Sequence, residues 1–241
     1  MKTSNKLMVA AVALVLGSLA TYDAALHAEY RTGQYKDPLR DYQALGLRNF
    51  DAVRVPSASG LRVKIVAGPF AVHVDNDAAD YVHVTQHGQQ LLVSLDYPEQ
   101  PEPLGQREDV VISCPRLAAL TTEGSYTVAG QVPVSQRQAG GEVEVQGFRQ
   151  DDLTLRQDQS NLIRLLGNTL GRLRAVVGAT AGTEPRLEIN ADNHIQRADL
   201  TIDHQGHLDL ATAIPGLRYH FSDSASVVLS GAASHSIAAP K

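Results

Sequence analysis

The chain opens on an unbroken apolar run and then changes rhythm. Leu7 to Leu16 is ten apolar residues in a row, preceded by Lys2 and Lys6. Gly17-Ser18-Leu19-Ala20 follows and puts small residues ahead of a cleavage point after Ala20. A positive flank, a short apolar core and a small-residue site are the layout of an export signal. With Thr21 to Ala28 included, the stretch reaches 22 residues, long enough to span a bilayer, with Asp23 and His27 near its outer end. Residues 1–28 are therefore expected to be a signal peptide or a membrane-anchor helix, and both readings stand. No cysteine lies near the segment to carry a lipid. Glu29 to Asn49, with Tyr30, Tyr35, Pro38 and Tyr42, shows neither alternation nor a helical stripe. It reads as a linker (29–49) with a short helical turn over Asp41 to Leu45.

From Phe50 the pattern becomes one of period two, the mark of strands with one buried face. Val63 and Ile65 alternate with Arg62 and Lys64, Val72 and Val74 flank His73, and Val82 and Val84 flank His83. Leu91, Val93 and Leu95 continue it, and turns fall at Ala67-Gly68-Pro69, Asp75-Asn76-Asp77 and Gly88-Gln89. This first part predicts a short antiparallel series. Pro98, Pro101 and Pro103 mark a surface loop that cannot join a ladder. Beyond it, short strands are predicted at Val110 to Ile112, Val143/Val145, Leu153/Leu155, Leu187/Ile189, Leu200/Ile202, Leu208/Leu210 and Leu217/Tyr219/Phe221. Asn161 to Val177 fits either a helix or two short strands around a turn, since it contains Gly167, Asn168 and Gly171.

Val145, Leu166, Leu187, Leu208 and Leu229 recur at a step of 21 residues, shared by Leu155 with Val176 and by Leu200 with Phe221. A coil of a parallel β-solenoid takes roughly 20 to 25 residues, and successive coils stack like residues in columns. The expected fold class is thus all-β: a parallel solenoid over 50–235, preceded by short antiparallel strands and an N-terminal hydrophobic helix, with a tail at 236–241. A β-sandwich is the competing architecture.

Composition narrows the function classes. Apolar residues make up 43% of 241, enough for one sizeable core or two small ones. The net charge of -5 argues against nucleic acid as a partner, which would need a basic face. Cys114 is the single cysteine, so no intramolecular disulfide exists, and beside Pro115 in an apolar strand it reads as a buried small hydrophobe.

Cys114-Pro115-Arg116-Leu117-Ala118-Ala119-Leu120-Thr121-Thr122-Glu123-Gly124-Ser125-Tyr126-Thr127-Val128 resembles the auto-transporter adhesin head domain, the GIN domain, a family of unknown function in exported Bacteroidetes proteins. Such domains show a strand, Pro-x-Leu-x-x-Leu, a Gly-Ser turn and another strand. Phe50 to Val55, Val72-His73-Val74 and Leu91 to Leu95 fit the upstream part, and the likeness covers roughly Phe50 to Ser230. The resemblance implies a right-handed parallel β-helix in the envelope, with a binding or structural role and no catalytic residues to carry over.

Candidate chemistry is sparse. His73 and His83, beside Asp75, Asp77 and Asp80, form a cation site only if Asp75 to Tyr81 is a hairpin loop; two exposed strand histidines are the simpler reading. The same loop lacks the ligand and glycine pattern of a calcium loop, with Ala79 and Asp80 in the wrong places. Asp192, Asp199, Asp203, Asp209 and Asp223 suit a glycan-cleaving pair only if two converge, and an ordinary solvated face is the simpler reading. Ser160, His194 and Asp203 lack the elbow motif of a nucleophilic triad. Arg149, Arg156, Arg164, Arg172 and Arg174 recur every few residues and, on one face, would grip an anionic glycan or lipid headgroup. More often such residues are polar strand positions that guard against edge pairing. No catalytic residue, metal site or cofactor is assigned. The leading expectation is a non-enzymatic cell-envelope protein, periplasmic or anchored in the inner membrane by residues 7–28, with a polysaccharide or an envelope protein as partner. The alternative is a carbohydrate-active β-helix enzyme, a polysaccharide hydrolase or lyase.

Overall fold

The computed structural model describes residues 3–33, 36–100, 104–105, 107–132, 141–159 and 161–235. Lys2, Tyr35, Pro101, Pro103, Ser160 and the tail 236–241 lie outside them. The chain divides into two units, Met1–Tyr42 and Gln43–Lys241. The first is dominated by helix α1 (Thr3–Thr32), rich in Ala, Leu and Val and free of proline. Two of its hydroxyls bond within the helix: Thr21 Oγ1 donates to the Gly17 carbonyl at 3.1 Å and Ser18 Oγ to that of Val15 at 2.8 Å. Gly33, with φ of 69°, ends it in the left-handed conformation that glycine adopts without strain. Lys6–Arg31 is 26 residues of apolar, fully exposed helix, long and apolar enough to cross a membrane.

The second unit is β-rich. Its strands are β1 (Tyr42–Leu45), β2 (Ala52–Val55), β3 (Arg62–Ala67), β4 (Ala71–Asp75), β5 (Val82–His87), β6 (Gln90–Tyr97), β7 (Val110–Cys114), β8 (Ala119–Thr122) and β9 (Thr127–Val128). They continue as β10 (Glu142–Gln146), β11 (Arg149–Gln157), β12 (Leu162–Leu166), β13 (Thr169–Val177), β14 (Arg186–Ile189), β15 (His194–Ile202), β16 (His207–Leu210), β17 (Gly216–Phe221) and β18 (Ser226–Leu229). Sheet A has the order β1-β4-β7-β3-β10-β12-β14-β16-β18, and sheet B the order β17-β15-β13-β11-β8-β2-β6-β5, with β9 beside β6. Inward residues of both sheets form one buried cluster: Val143, Val145, Ile163, Leu165, Leu187 and Ile189 from sheet A, Leu153, Leu155, Leu173, Ala175, Leu200 and Ile202 from sheet B. The period-two pattern decides this, because each strand offers one apolar face and one polar face.

The expected right-handed parallel β-helix, or solenoid, is corrected. The chain forms two open sheets of mixed direction, not a coil preceded by antiparallel strands. Each sheet ends on two different edge strands and does not close on itself. Antiparallel pairs are built into both, β4 with β7 in sheet A and β5 with β6 in sheet B. The early strands β2 and β3 lie inside the sheets, paired in parallel with β6 and β8, and with β7 and β10. The constant 21-residue step also fails. Val145 pairs with Leu165 rather than Leu166, Leu155 with Ala175 rather than Val176, and Leu200 with Tyr219 rather than Phe221. Leu187 does pair with Leu208 at the expected step, but connections of unequal length shift the other registers. The ambiguous stretch Asn161 to Val177 is the two-strand alternative, β12 and β13, and the helical turn expected over Asp41 to Leu45 is strand β1.

Buried asparagines tie the bends between strands together. Asn168, fully buried, accepts from the Phe148 backbone N–H at 3.0 Å and donates to the Val145 carbonyl at 2.9 Å. Its own backbone N–H and its Nδ2 both reach Asn193 Oδ1 at 3.0 Å. Asn193 Nδ2 donates in turn to the Leu165 carbonyl at 2.7 Å, and Thr212 Oγ1 donates to the Asn193 carbonyl at 2.8 Å. These amides satisfy backbone groups that turn away from the ladders inside the protein.

Candidate functional site

The two outward faces differ in charge. On sheet A, strands β3, β10, β12, β14 and β16 place Arg62, Lys64, Arg164 and Arg186 among Glu142, Glu144, Glu188 and Asp209. Parallel register puts these opposite charges side by side: Lys64 beside Glu144, Glu144 beside Arg164, Arg164 beside Glu188. Lys64 Nζ lies 2.8 Å from Glu144, Arg164 Nε 2.9 Å from Glu188 and Arg186 Nη2 2.7 Å from Asp209. Arg164 also bonds Glu142. Hydrogen bonds to carboxylates, first among the causes, raise the pKa of Lys64, Arg164 and Arg186 above their ordinary values. The face neutralises itself. A cleft of about 410 Å3 on it, lined by residues that include Glu142, Glu184, Arg186 and His207, carries charges of both signs.

Sheet B is different. Strands β11, β13, β15 and β17 carry six arginines (149, 156, 172, 174, 197 and 218) against three aspartates (151, 152 and 199). Register aligns Asp152, Arg172 and Arg197 in one outward row, and Thr154, Arg174, Asp199 and Arg218 in the next. Among the described residues two ion pairs form on these four strands, Arg172 Nε to Asp199 at 3.5 Å and Arg174 Nη2 to Asp152 at 3.4 Å. Both are long and partly exposed, so they contribute little. Among the described residues no hydrogen bond or ion pair engages the side chains of Arg149, Arg156, Arg197 or Arg218. Arg172, Arg197, Asp199, Gly216, Leu217 and Arg218 enclose a cleft of about 210 Å3. Arg172 Nε is buried there without a hydrogen bond.

The arginines expected on one face are thus divided. Arg149, Arg156, Arg172 and Arg174 share sheet B, while Arg164 is locked among carboxylates on sheet A. Arg197, Arg218 and Gly216 complete the cleft and were not singled out in the sequence; the alternation of Leu217, Tyr219 and Phe221 already placed Arg218 on the opposite face. The histidine pair separates: His73 is on β4 of sheet A and His83 on β5 of sheet B, because the Asp75 to Tyr81 loop crosses between sheets rather than closing a hairpin. Asp75 is buried, accepts from the Asp77 N–H at 3.1 Å and faces Arg107 at 3.7 Å. No group of three metal-ligating side chains occurs among the described residues.

The five aspartates scatter. Asp209 pairs with Arg186 on sheet A and Asp199 faces Arg172 on sheet B, while Asp192, Asp203 and Asp223 lie in turns. His194 opens β15 and Asp203 follows its last residue, roughly 30 Å apart at about 3.3 Å per residue, too far to act together. Cys114 is buried and free, with burial pushing its thiol up to about 12.

No family model matches the chain, and no curated protein matches it. Solved structures resemble it at low identity. A "putative adhesin" from Bacteroides fragilis is 10% identical with a TM-score of 0.39, covering 79% of this chain and 95% of that one. A "putative adhesin" from Parabacteroides distasonis is 11% identical with a TM-score of 0.38, covering 79% and 94%. A "putative lipid binding protein" from the same organism is 15% identical with a TM-score of 0.30, covering 79% and 94%. At such TM-scores these structures assign the chain neither a family nor a ligand.

Proposed function

We propose that the chain is a non-enzymatic cell-envelope protein, exported and retained at the membrane by α1, whose β unit binds an anionic partner. The observation that carries this is the excess of arginine on strands β11, β13, β15 and β17 of sheet B, six against three aspartates, in a chain whose net charge is -5. A solvated face of a stable sheet tends to interleave its charges, as sheet A does; like charges held side by side oppose folding. The helix supplies the address, since its length and apolar character suit a span or an export signal. The test is a glycan array probed with the full chain in neutral phosphatidylcholine nanodiscs, run beside a degradation assay on the same glycans. Saturable binding to acidic glycans without turnover is the expected result. Turnover of any glycan would sink the non-enzymatic reading.

A further inference from the structure

The cleft between β13, β15 and β17 is built in a way that a mere polar surface does not require. Arg172 and Arg197 are direct cross-strand partners, so two guanidiniums sit in register on neighbouring strands. Such pairs destabilise a sheet unless something between them carries negative charge. Asp199 is the only carboxylate among the lining residues; it lies 3.5 Å from Arg172 Nε and leaves that buried group without a hydrogen bond. Arg197 and Arg218 have no partner among the described residues. At the register position beside Arg197 stands Gly216, where an added Cβ would come within 2.6 Å of Arg197 Cγ. The missing side chain is part of what leaves the cleft open.

From this we infer that the cleft is a binding site for the oxyanion substituents, carboxylate or sulfate, of an extended acidic polysaccharide. The inference rests on the binding role proposed above and names its ligand class. Three features select that class. Guanidinium forks match planar and tetrahedral oxyanions through paired hydrogen bonds, and the four strands carry six arginines and no lysine. The cleft, at about 210 Å3, is below the size of ordinary small-molecule pockets and admits one anionic substituent or one sugar rather than a larger molecule. The unpaired arginines also extend beyond the cleft, to Arg149 and Arg156 on β11. Three strand steps of about 4.8 Å span roughly 14 Å, a line of positive charge that one isolated anion would leave unused. A lipid surface fits less well, because among the described residues the four strands carry one exposed large hydrophobic, Tyr219 on the edge strand β17, to enter it.

The experiment measures binding of polygalacturonate, dextran sulfate, neutral dextran and short-chain dihexanoylphosphatidylglycerol to the full chain in phosphatidylcholine nanodiscs. Wild type is expected to bind polygalacturonate or dextran sulfate saturably and more weakly as salt rises. Neutral dextran should not bind. R197A and R218A should each lose at least tenfold in affinity, and R197K nearly as much, because the ammonium keeps the charge without the fork. G216A should weaken binding without touching any charge, and R164A, an equal charge loss on sheet A, should bind as wild type. The melting temperature of R197A should equal or exceed that of wild type, since a repulsive pair is removed, which separates lost binding from lost folding. Unchanged affinity in R197A and R218A, equal losses in R164A, or arginine-dependent binding of the phospholipid alone would overturn the site. If the glycan array then still finds a ligand, only the assigned site falls; if it finds none, the binding role falls as well.

Discussion

Cys114 and Asp109 show what burial does to single ionisable groups. The Cys114 side chain is fully enclosed in β7, and its thiol is pushed up to about 12 by loss of hydration. A thiolate is the reactive species, so Cys114 in the folded chain should resist a disulfide exchange reagent at pH 8 and react at once in guanidinium. Fast labelling of the native protein would contradict the packing. Asp109 is also buried, and desolvation raises its carboxyl to about 6 although its Oδ2 accepts the Arg62 N–H at 2.7 Å. Asp75 and Glu108 push it the same way, and the positive charge of Arg62 works against them. The folded state therefore keeps a proton that the unfolded chain releases near 3.8, so stability falls as pH rises between about 4 and 6. Asp109→Asn keeps an acceptor for the Arg62 N–H and removes the charge. It should stabilise the fold at pH 7 by about 2 kcal/mol, discounted from the full linkage value for residual solvent contact, and flatten the pH profile of urea unfolding in that window. No gain at pH 7 would show that the carboxyl is well hydrated in the fold.

Elements, in turn, are held in register by what lies at their ends. Asn168 and Asn193 link the bends before β13 and β15, and each serves several backbone groups. Truncating either to Ala leaves buried donors and acceptors unmet, which costs about 1–3 kcal/mol for each orphaned group. Asn168→Ala should therefore lower urea-unfolding stability by about 3 kcal/mol, while Arg164→Ala, on a partly exposed face, should cost about 1 kcal/mol. Near-equal losses would mean that the amide ladder is incidental. The strands themselves were legible, because alternation such as Leu153-x-Leu155 or Leu187-x-Ile189 reports a buried face directly. Their partners were not. Register across parallel strands depends on the length of each intervening connection, and the segment from Gly178 to Pro185 is longer than its counterparts, which breaks the apparent 21-residue repeat. The same gap hid the site: recurrence along the chain grouped Arg164 with its neighbours, whereas adjacency across strands joins Arg172 to Arg197 and Arg218.

For the molecule as a whole, the open question set by its first residues is whether α1 leaves or stays. An apolar core of ten residues would suffice for a signal, but Lys6–Arg31 is 26 helical residues, roughly 39 Å at about 1.5 Å per residue, against a hydrocarbon core of roughly 30 Å. The helix passes Ala20 without a break and continues to Thr32. The anchored form is the expectation on these lengths. Flanking charge does not fix its direction, since Lys2 and Lys6 on one side are matched by Arg31, Lys36 and Arg40 on the other. Long domains, however, translocate largely regardless of such charges. The chain should accordingly stay in the membrane pellet after alkaline carbonate extraction, retain residues ahead of Thr21 on N-terminal sequencing, and lose its β unit to protease added outside spheroplasts. A soluble protein beginning at Thr21 would show that α1 is a cleaved signal. The outcome bears on the ligand as well as the address. A β unit tethered by the short stretch between Gly33 and Phe50 reaches polysaccharide close to its own membrane, whereas a released one is free to meet another cell.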